Sequence, residues 1–449
     1  MKRRSNLPEP RSGRAGRRAR SAIAAFVLGA VTLGAAGCAA PSPADDENIV
    51  LELWDTDTRP ARAENLEKLI DMFEAENPNI TIEYLGLPTD SYMQKISTAI
   101  ATNSTPDLLT PKASDIAALV AQEALAPLDE RFEQGGWEDE IDPSMVESSK
   151  AASPDGSLYL TPATSLADVI YYRPDLFEAA GLDAPESWDD FFADAVELTD
   201  PATGRFGYTI RGGAGFFSQF VQMVYPQAGI DTFFLEDGTS TLDDPAVAEA
   251  TQRYVDLYRK ATAESDLTAD FKVMVAQFGS GNTGMLSHSV GSYPDHVKAL
   301  GADAVAAVVP FPSEDGEHVL TGRMTTGFAM FEASEHQDAA WKFLEFTMSE
   351  EGNSFWAEAS GYIPGNLAVQ SEPWVAENPA IAVAAEAGSN PDATVLQQPF
   401  YLPEFNSITS TDMLPQWQAV LQGDLSVEDF LGDAAKALTD AQQRYLASQ

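Results

Sequence analysis

An α/β fold of two doubly wound lobes is what this sequence predicts, and three observations predict it. Strand-like and helix-like runs alternate along most of the chain, the pattern of parallel α/β sheets. The 449 residues, 44% of them apolar, suffice for two such domains. Between strand-like runs at 158–160 and 169–172 lies a small and polar gap, Pro162, Ala163, Thr164 and Ser165. Those four make a poor strand or helix interior, so the gap reads as a segment crossing between lobes.

The elements follow in order. Residues 49–54 alternate as a strand, and Asp55, Thr56, Asp57 and Thr58 make a turn. Residues 59–77 form an amphipathic helix, with Leu66, Leu69, Ile70 and Phe73 on one face and Asn77 and Pro78 stopping it. A strand at 80–84, a helix at 92–102, a short strand at 106–109 and a helix at 115–122 continue the alternation. Past the gap, Pro174 starts a short helix that Gly181 ends, and Ser187 with Asp190 has the shape of a capping box for a helix at 188–198. Residues 206–210 read as a strand running into the Gly-rich turn 211–215, and 216–224 as helical. Leu242 to Pro245 caps a helix running to about Lys260. Residues 277–286 read as a turn feeding a strand, 289–293 as a loop, 304–310 and 321–330 as strands, and 337–349 as a helix. A turn at 361–365, a loop at 391–411 and two helices, the second at 426–446, complete the chain.

The N-terminus stands apart from the fold. Lys2, Arg3, Arg4, Arg11, Arg14, Arg17, Arg18 and Arg20 precede an apolar run at 22–36 that is too short to span a membrane comfortably. Residues 1–37 therefore read as a secretory signal, with Arg17 and Arg18 a weak twin-arginine match that leaves the export route open. Ala35, Ala36 and Gly37 lead into Cys38, the single cysteine, which excludes an intrachain disulfide. Residues 38–47 read as an acidic tether. This junction resembles a bacterial lipoprotein lipobox, with Ala35 where Leu is commoner. The resemblance implies lipidation of Cys38 and anchoring to the outer face of the cell membrane without a spanning helix.

The net charge is −42; without residues 1–37, 19 basic and 68 acidic residues remain, a net charge of −49. Such a surface repels nucleic acid and anionic lipid. It disfavours an anionic ligand unless a local cationic cluster overrides the field. His288, His296, His318 and His336 form no metal-binding spacing, and GxSxG, HExxH and GxxxxGK[ST] are absent. Asp189, Asp190, Asp243 and Asp244 are explained as helix-start residues. No catalytic residue, cofactor or metal is expected.

Several segments together carry a family resemblance: 106–109 (PDLL), 169–172 (VIYY), 175–182 (DLFEAAGL) with Ser187 and Trp188, 281–286 (GNTGML) leading to Gly291 and Tyr293, 327–330 (GFAM), 339–344 (AAWKFL) and 361–364 (GYIP). In that order and spacing the chain resembles the extracellular solute-binding proteins of bacterial ABC importers. The similarity is to the carbohydrate-binding family that includes the maltose- and glycerol-3-phosphate-binding proteins. Tyr172, where the family usually has Asn or Asp, and Tyr293, where it often has Trp, depart from the pattern. The resemblance implies a periplasmic-binding-protein-like fold whose lobes close on ligand through a multi-crossover hinge, with crossings near 161–165, 322–325 and 369–373. Lobe 1 would hold 48–162 and 323–370, and lobe 2 would hold 163–322 and 371–449.

It also implies a monomeric, non-catalytic protein that captures a sugar or oligosaccharide and delivers it to an ABC permease. The alternatives are a binder of glycerol-3-phosphate or a glycerophosphodiester, using Lys112, Arg211 and Arg323, and a secreted carbohydrate-active enzyme. A sugar site needs aromatic platforms and fixed hydrogen-bonding groups on loops at the ends of parallel strands. On that logic and on the resemblance, the expected ligand contacts are Trp54, Asp55, Thr56, Lys112, Ser114, Asp115, Thr164, Ser165, Phe217, Gln219, Tyr293, Arg323, Tyr362 and Glu404.

Overall fold

A computed structural model describes residues 48–88 and 91–449. The signal segment, the tether and Cys38 lie outside the described residues. The fold is a bilobed α/β structure with mixed sheets, as the alternation and the resemblance led us to expect.

One lobe is built on β1 (Ile49–Asp55), β2 (Ile80–Gly86) and β3 (Leu108–Thr110), which pair in parallel around β1. The helix Pro60–Glu76 covers this sheet with Leu66, Leu69, Ile70 and Phe73, the face read from the sequence. Burying those four side chains contributes about 6–12 kcal/mol as an upper figure. Helices Gln337–Met348 and Glu350–Ser360 close the same core with Phe343, Phe346 and Trp356.

The second lobe differs from the parallel expectation. The strands β4 (Thr164–Leu166) and β5 (Asp168–Tyr172) follow one another, and β5 pairs antiparallel with both β6 (Met285–Ser289) and β7 (Ala306–Val308). Hydrophobic alternation specifies a strand but not its partner's direction. A parallel pair is added by β8 (His318–Thr321) and, further along the chain, Ala393–Leu396. This lobe's largest core is aromatic, with the Phe216 ring stacked on Trp417 at 5.5 Å.

The crossing gap becomes the centre strand of a small antiparallel sheet. Thr164 and Ser165 of β4 pair with Thr326 and Thr325 of β9 (Met324–Thr326) on one side. On the other side they pair with Pro364 and Ile363. Between them β10 (Ala329–Met330) returns antiparallel to β3, β11 (Ile363–Pro364) is the third hinge strand, and β12 is Ala393–Leu396. The stretch 369–373, where the third crossing was expected, comprises the 3-10 turn Val369–Ser371 and the start of the helix Pro373–Glu377. The strands pass so closely that side chains must be absent: a Cβ at Gly327 would lie 2.0 Å from the Thr161 carbonyl oxygen.

Other local readings need correction. Residues 158–160 join no sheet, and 206–210 form only an isolated bridge between Phe206 and Thr283. The expected strand 321–330 is two short strands broken at Gly327. The helices Phe271–Gly279 and Pro379–Gly388, and the turns of helix and π-helix within the supposed loop 391–411, were not foreseen.

Candidate functional site

Because β1 and β3 run parallel, both end on the same edge of their sheet, facing the other lobe. There the Thr110 hydroxyl donates to the Asp55 carboxylate. Thr56 donates its N–H to Thr110 Oγ1 at 3.2 Å and its hydroxyl to the Thr110 carbonyl at 2.7 Å. Arg62, on the first turns of helix Pro60–Glu76, donates Nε to Asp55 Oδ2 at 3.1 Å and Nη2 to Oδ1 at 3.1 Å. Its Nη1 donates to the Tyr362 hydroxyl at 2.9 Å, and the guanidinium lies 4.9 Å over Trp356. Asp55 and Thr56 thus find their partners inside their own lobe. After β3, the buried Asp115 accepts from the Tyr92 hydroxyl at 2.8 Å, and Lys112 Nζ sits 4.7 Å over the Tyr92 ring.

The second lobe presents Asp168 at the start of β5, Arg211 after the 206–210 segment, Phe271 and His288. Asp270 caps helix Phe271–Gly279 by accepting from the Val273 N–H, which places Phe271 at the helix's first position. The Phe271 ring stacks on His288 at 6.1 Å and 22°. Arg59 and Arg211 lie 5.6 Å from its centre and Lys272 Nζ 5.8 Å. Gln219 fixes the backbone at Arg211, accepting its N–H at 2.6 Å and the Tyr254 hydroxyl at 2.7 Å.

Among the described residues, polar contacts join the lobes across this space. Arg59 Nη1 donates to Asp295 Oδ2 at 3.0 Å, Lys272 Nζ to Thr58 Oγ1 at 3.2 Å, and Asn406 Nδ2 to Asp115 Oδ1 at 2.6 Å. A cavity of about 210 Å³ opens beside the first, lined in part by Arg59, Arg62, Asp295 and Tyr362. Both arginines there are already paired, Arg59 with Asp57 and Asp295 and Arg62 with Asp55.

Burial dominates the electrostatics. It pushes the Asp168 carboxyl up to about 6, against the Thr321 hydrogen bond and Arg211. It lowers Arg211 to about 10, against Asp270 and Asp168, and holds His288 well below its ordinary value, with Arg211 and Arg59 adding to the effect. Lys112 is lowered by the protein crowded around it, with Arg211 adding to the shift and Asp115 opposing it. Water nevertheless reaches the Lys112 side chain, which is the signature of a group lining a cleft rather than a core.

The sequence-derived candidates fall into separate groups. Lys112 and Asp115 belong to this cluster, and Ser114 is half-buried beside them. Trp54 is buried under Lys95, whose Nζ lies 4.4 Å over its ring. Thr164 bonds to Thr326 in the hinge sheet, while the fully buried Ser165 hydroxyl has no partner among the described residues. Phe217 lies in the aromatic core against Phe220 and Phe405, and Gln219 is a buried buttress. Tyr293 is half-buried at the edge of the β5–β6 core. Tyr362 braces Arg62, Glu404 pairs with Arg444 at 3.1 Å, and Arg323 flanks the hinge near Asp142. Phe271, Arg59, Asp168 and His288 were not singled out as ligand contacts, whereas Asn406 was marked beside Glu404. Asp270 as an N-cap was the available signal for the first of them.

An aromatic plate ringed by charged and hydrogen-bonding groups between two hinged lobes defines a solute-binding protein. The sequence model for bacterial extracellular solute-binding proteins matches residues 57–354, and the chain belongs to that family. It is a binding protein and not an enzyme, and it works outside the cytoplasm. It is 27% identical over 373 residues to a binding protein of Brucella abortus (strain 2308), covering 82% of this chain and 87% of that one. It is 26% identical over 399 residues to the mannitol-binding protein of Pseudomonas aeruginosa, covering 84% and 90%. Maltose-bound T. maritima MalE3 shares the fold with a TM-score of 0.77 at 22% identity, covering 87% of this chain and 99% of that one.

Proposed function

We propose that this protein captures a sugar, an oligosaccharide or a sugar alcohol in its inter-lobe cleft and delivers it to the permease of an ABC importer. The observation that carries the reading is Phe271. Its ring is an apolar plate of the kind a sugar's C–H face packs on, and donors and acceptors from both lobes surround it. The mannitol-binding relative and the maltose-bound structural neighbour support the same chemistry. The contact set we propose is Lys112, Asp115, Ser165, Asp168, Arg211, Phe271, His288 and Tyr293. The Tyr293 hydroxyl and the Ser165 hydroxyl have no protein partner among the described residues and are free to bond to ligand.

Membrane attachment through lipid on Cys38 is part of the proposal, with a monomer delivering solute from the outer face of the membrane. Cys38→Ser should release the protein into the medium or periplasm, and retention of that variant in the membrane fraction would remove the anchor from the reading. The ligand itself is tested by thermal shift against sugars, oligosaccharides and sugar alcohols. A true ligand at about 100 times its dissociation constant stabilises by about 2.7 kcal/mol. Turnover of any glycan in the panel would overturn the binding-only reading.

A further inference from the structure

Two glycines face rings across the boundary between the lobes. Gly291 lies in the 3-10 turn Val290–Ser292 that follows β6, and Gly361 ends helix Glu350–Ser360 of the other lobe. A Cβ at Gly291 would lie 2.5 Å from Tyr362 Cε1, 2.9 Å from its Cδ1 and 3.0 Å from Leu166 Cδ2. A Cβ at Gly361 would lie 2.6 Å from Pro294 Cδ and 2.7 Å from its Cγ. Each lobe thus offers a bare Cα with a ring close by in sequence, and each ring seats on the other lobe's bare Cα. The close glycines of the hinge sheet differ: at Gly327 and Gly365 the nearest atoms are the backbone oxygens of Thr161 and Pro162 in the crossing segment.

The Tyr362 ring is held at both ends. Its hydroxyl accepts from Arg62 Nη1 at 2.9 Å, and Arg62 is itself fixed by Asp55 at 3.1 Å. The ring meets Trp356 edge to face at 6.1 Å in the lobe core. An extra methyl at residue 291 must therefore push the lobes apart, because a packed ring leaves no room to turn aside. Long ionic side chains such as Arg59 and Asp295 absorb a displacement by changing rotamer, whereas a ring against a Cα does not. Pro294 and Asp295 share helix Tyr293–Leu300, so the spacing set at the two glycines is the spacing at which Arg59 reaches Asp295.

We propose that Gly291 is a positioning residue for closure: its missing side chain is the notch that receives Tyr362 and sets how near the lobes come when the cleft shuts. The proposal rests on the chain's being a hinged solute-binding protein and not on which solute it takes. Gly361 is the matching notch for Pro294, but its backbone is left-handed at φ 68°, so any substitution there is strained whatever the space. Gly291 is not left-handed, and the atoms its Cβ would meet are side chains outside its own turn. It is the place to test the interlock without disturbing local backbone.

The test reads lobe spacing directly. The mature chain with Cys38→Ser is spin-labelled through Glu67→Cys and Asp303→Cys, two exposed positions on opposite lobes. Double electron–electron resonance then gives the distribution of spacings, with and without mannitol as probe. The parent should show a short-spacing component. In Gly291→Ala the ratio of short to long spacing should fall about tenfold or more. The melting temperature of that variant without mannitol should stay within about 2 °C of the parent's. Adding Tyr362→Ala to Gly291→Ala removes the ring that the new methyl meets and should restore the short component. An unchanged distribution in Gly291→Ala, or no recovery in the double variant, overturns the proposal. So does a parent that shows no short component in either condition. A melting temperature lowered well beyond that limit makes the contact a permanent part of the core and overturns the closure role. Every one of these outcomes is separate from the sugar reading, which the thermal-shift panel tests by itself.

Discussion

Arg59 reaches from the first turn beside β1 to Asp295 on the opposite lobe, placing Nη1 3.0 Å from Oδ2. The same guanidinium is held from behind by Asp57 at 2.9 Å and lies over Phe271. One side chain thus ties the turn after the first strand, the opposite helix and the aromatic plate of the cleft. The bond exists only when the lobes approach, so it contributes to the closed form and not to the stability of either lobe.

Arg59→Ala should therefore weaken ligand binding while leaving thermal unfolding of the unliganded protein nearly unchanged. The two side chains keep 19% and 30% of their surface exposed, so the pair is screened and contributes about 0.5–1 kcal/mol, or about two- to fivefold in affinity. Asp295→Asn should give a smaller effect of the same sign. Calorimetry showing unchanged affinity in both variants would remove the bridge from the closing mechanism.

Phe271→Ala removes the plate against which the proposed ligand packs. Losing the burial of one aromatic face costs about 1.5–3 kcal/mol, which is about 10- to 200-fold in affinity. The ring is half-buried and stands at a helix start, so the lobe core survives the change. A dissociation constant within about threefold of the parent would place the ligand elsewhere. Phe271→Tyr should retain most of the affinity.

Much of the architecture was legible because local patterns carried it. The face of helix Pro60–Glu76 was written in Leu66, Leu69, Ile70 and Phe73, and the crossing gap in the smallness of Ala163, Thr164 and Ser165. The antiparallel sheet around β5 was hidden, because alternation fixes which side chains face the core and not which strand lies alongside. The site was legible only in part for the same reason. Lys112 and Asp115 sit next to a recognisable strand, whereas Arg62 meets Tyr362 across 300 positions of chain. Phe217 looked like a cleft residue by its place after a Gly-rich turn, but helix Phe216–Ala228 is buried over most of its surface and turns that ring into the core.

Gly327→Ala should damage the hinge. The added Cβ would meet the Thr161 carbonyl oxygen at 2.0 Å and its hydroxyl at 2.6 Å, and both belong to the segment that crosses between lobes. The Phe328 N–H also donates to Thr161 Oγ1 at 2.9 Å, so the backbone cannot retreat without breaking that bond. Overpacking of this kind costs about 1–3 kcal/mol and more where backbone is the obstacle. A melting temperature equal to the parent's would show that the strands can separate freely. Gly432→Ala, on an open face of the C-terminal helix, is the control and should be neutral or slightly stabilising.

The Asp168 carboxyl gives the fold a pH dependence of unusual sign. Burial raises it from 3.8 to about 6, so between those values the folded protein holds a proton that the unfolded chain has released. Stability from this group is therefore fully present below about pH 4 and is lost as pH rises through about 6, the reverse of an ion-paired carboxylate. Burial holds His288 well below its ordinary value and raises the Asp115 carboxyl as well, so the part played by Asp168 is isolated by substituting it alone. Asp168→Asn should raise the melting temperature at pH 7 relative to the parent. At pH 4, where the parent's own carboxyl is protonated, the difference should shrink toward zero. Melting curves of both proteins from pH 4 to 8 decide the matter. A variant that tracks the parent at every pH would mean that the folded and unfolded chains hold this proton equally, and that the carboxylate is solvated by cleft water in spite of the protein around it.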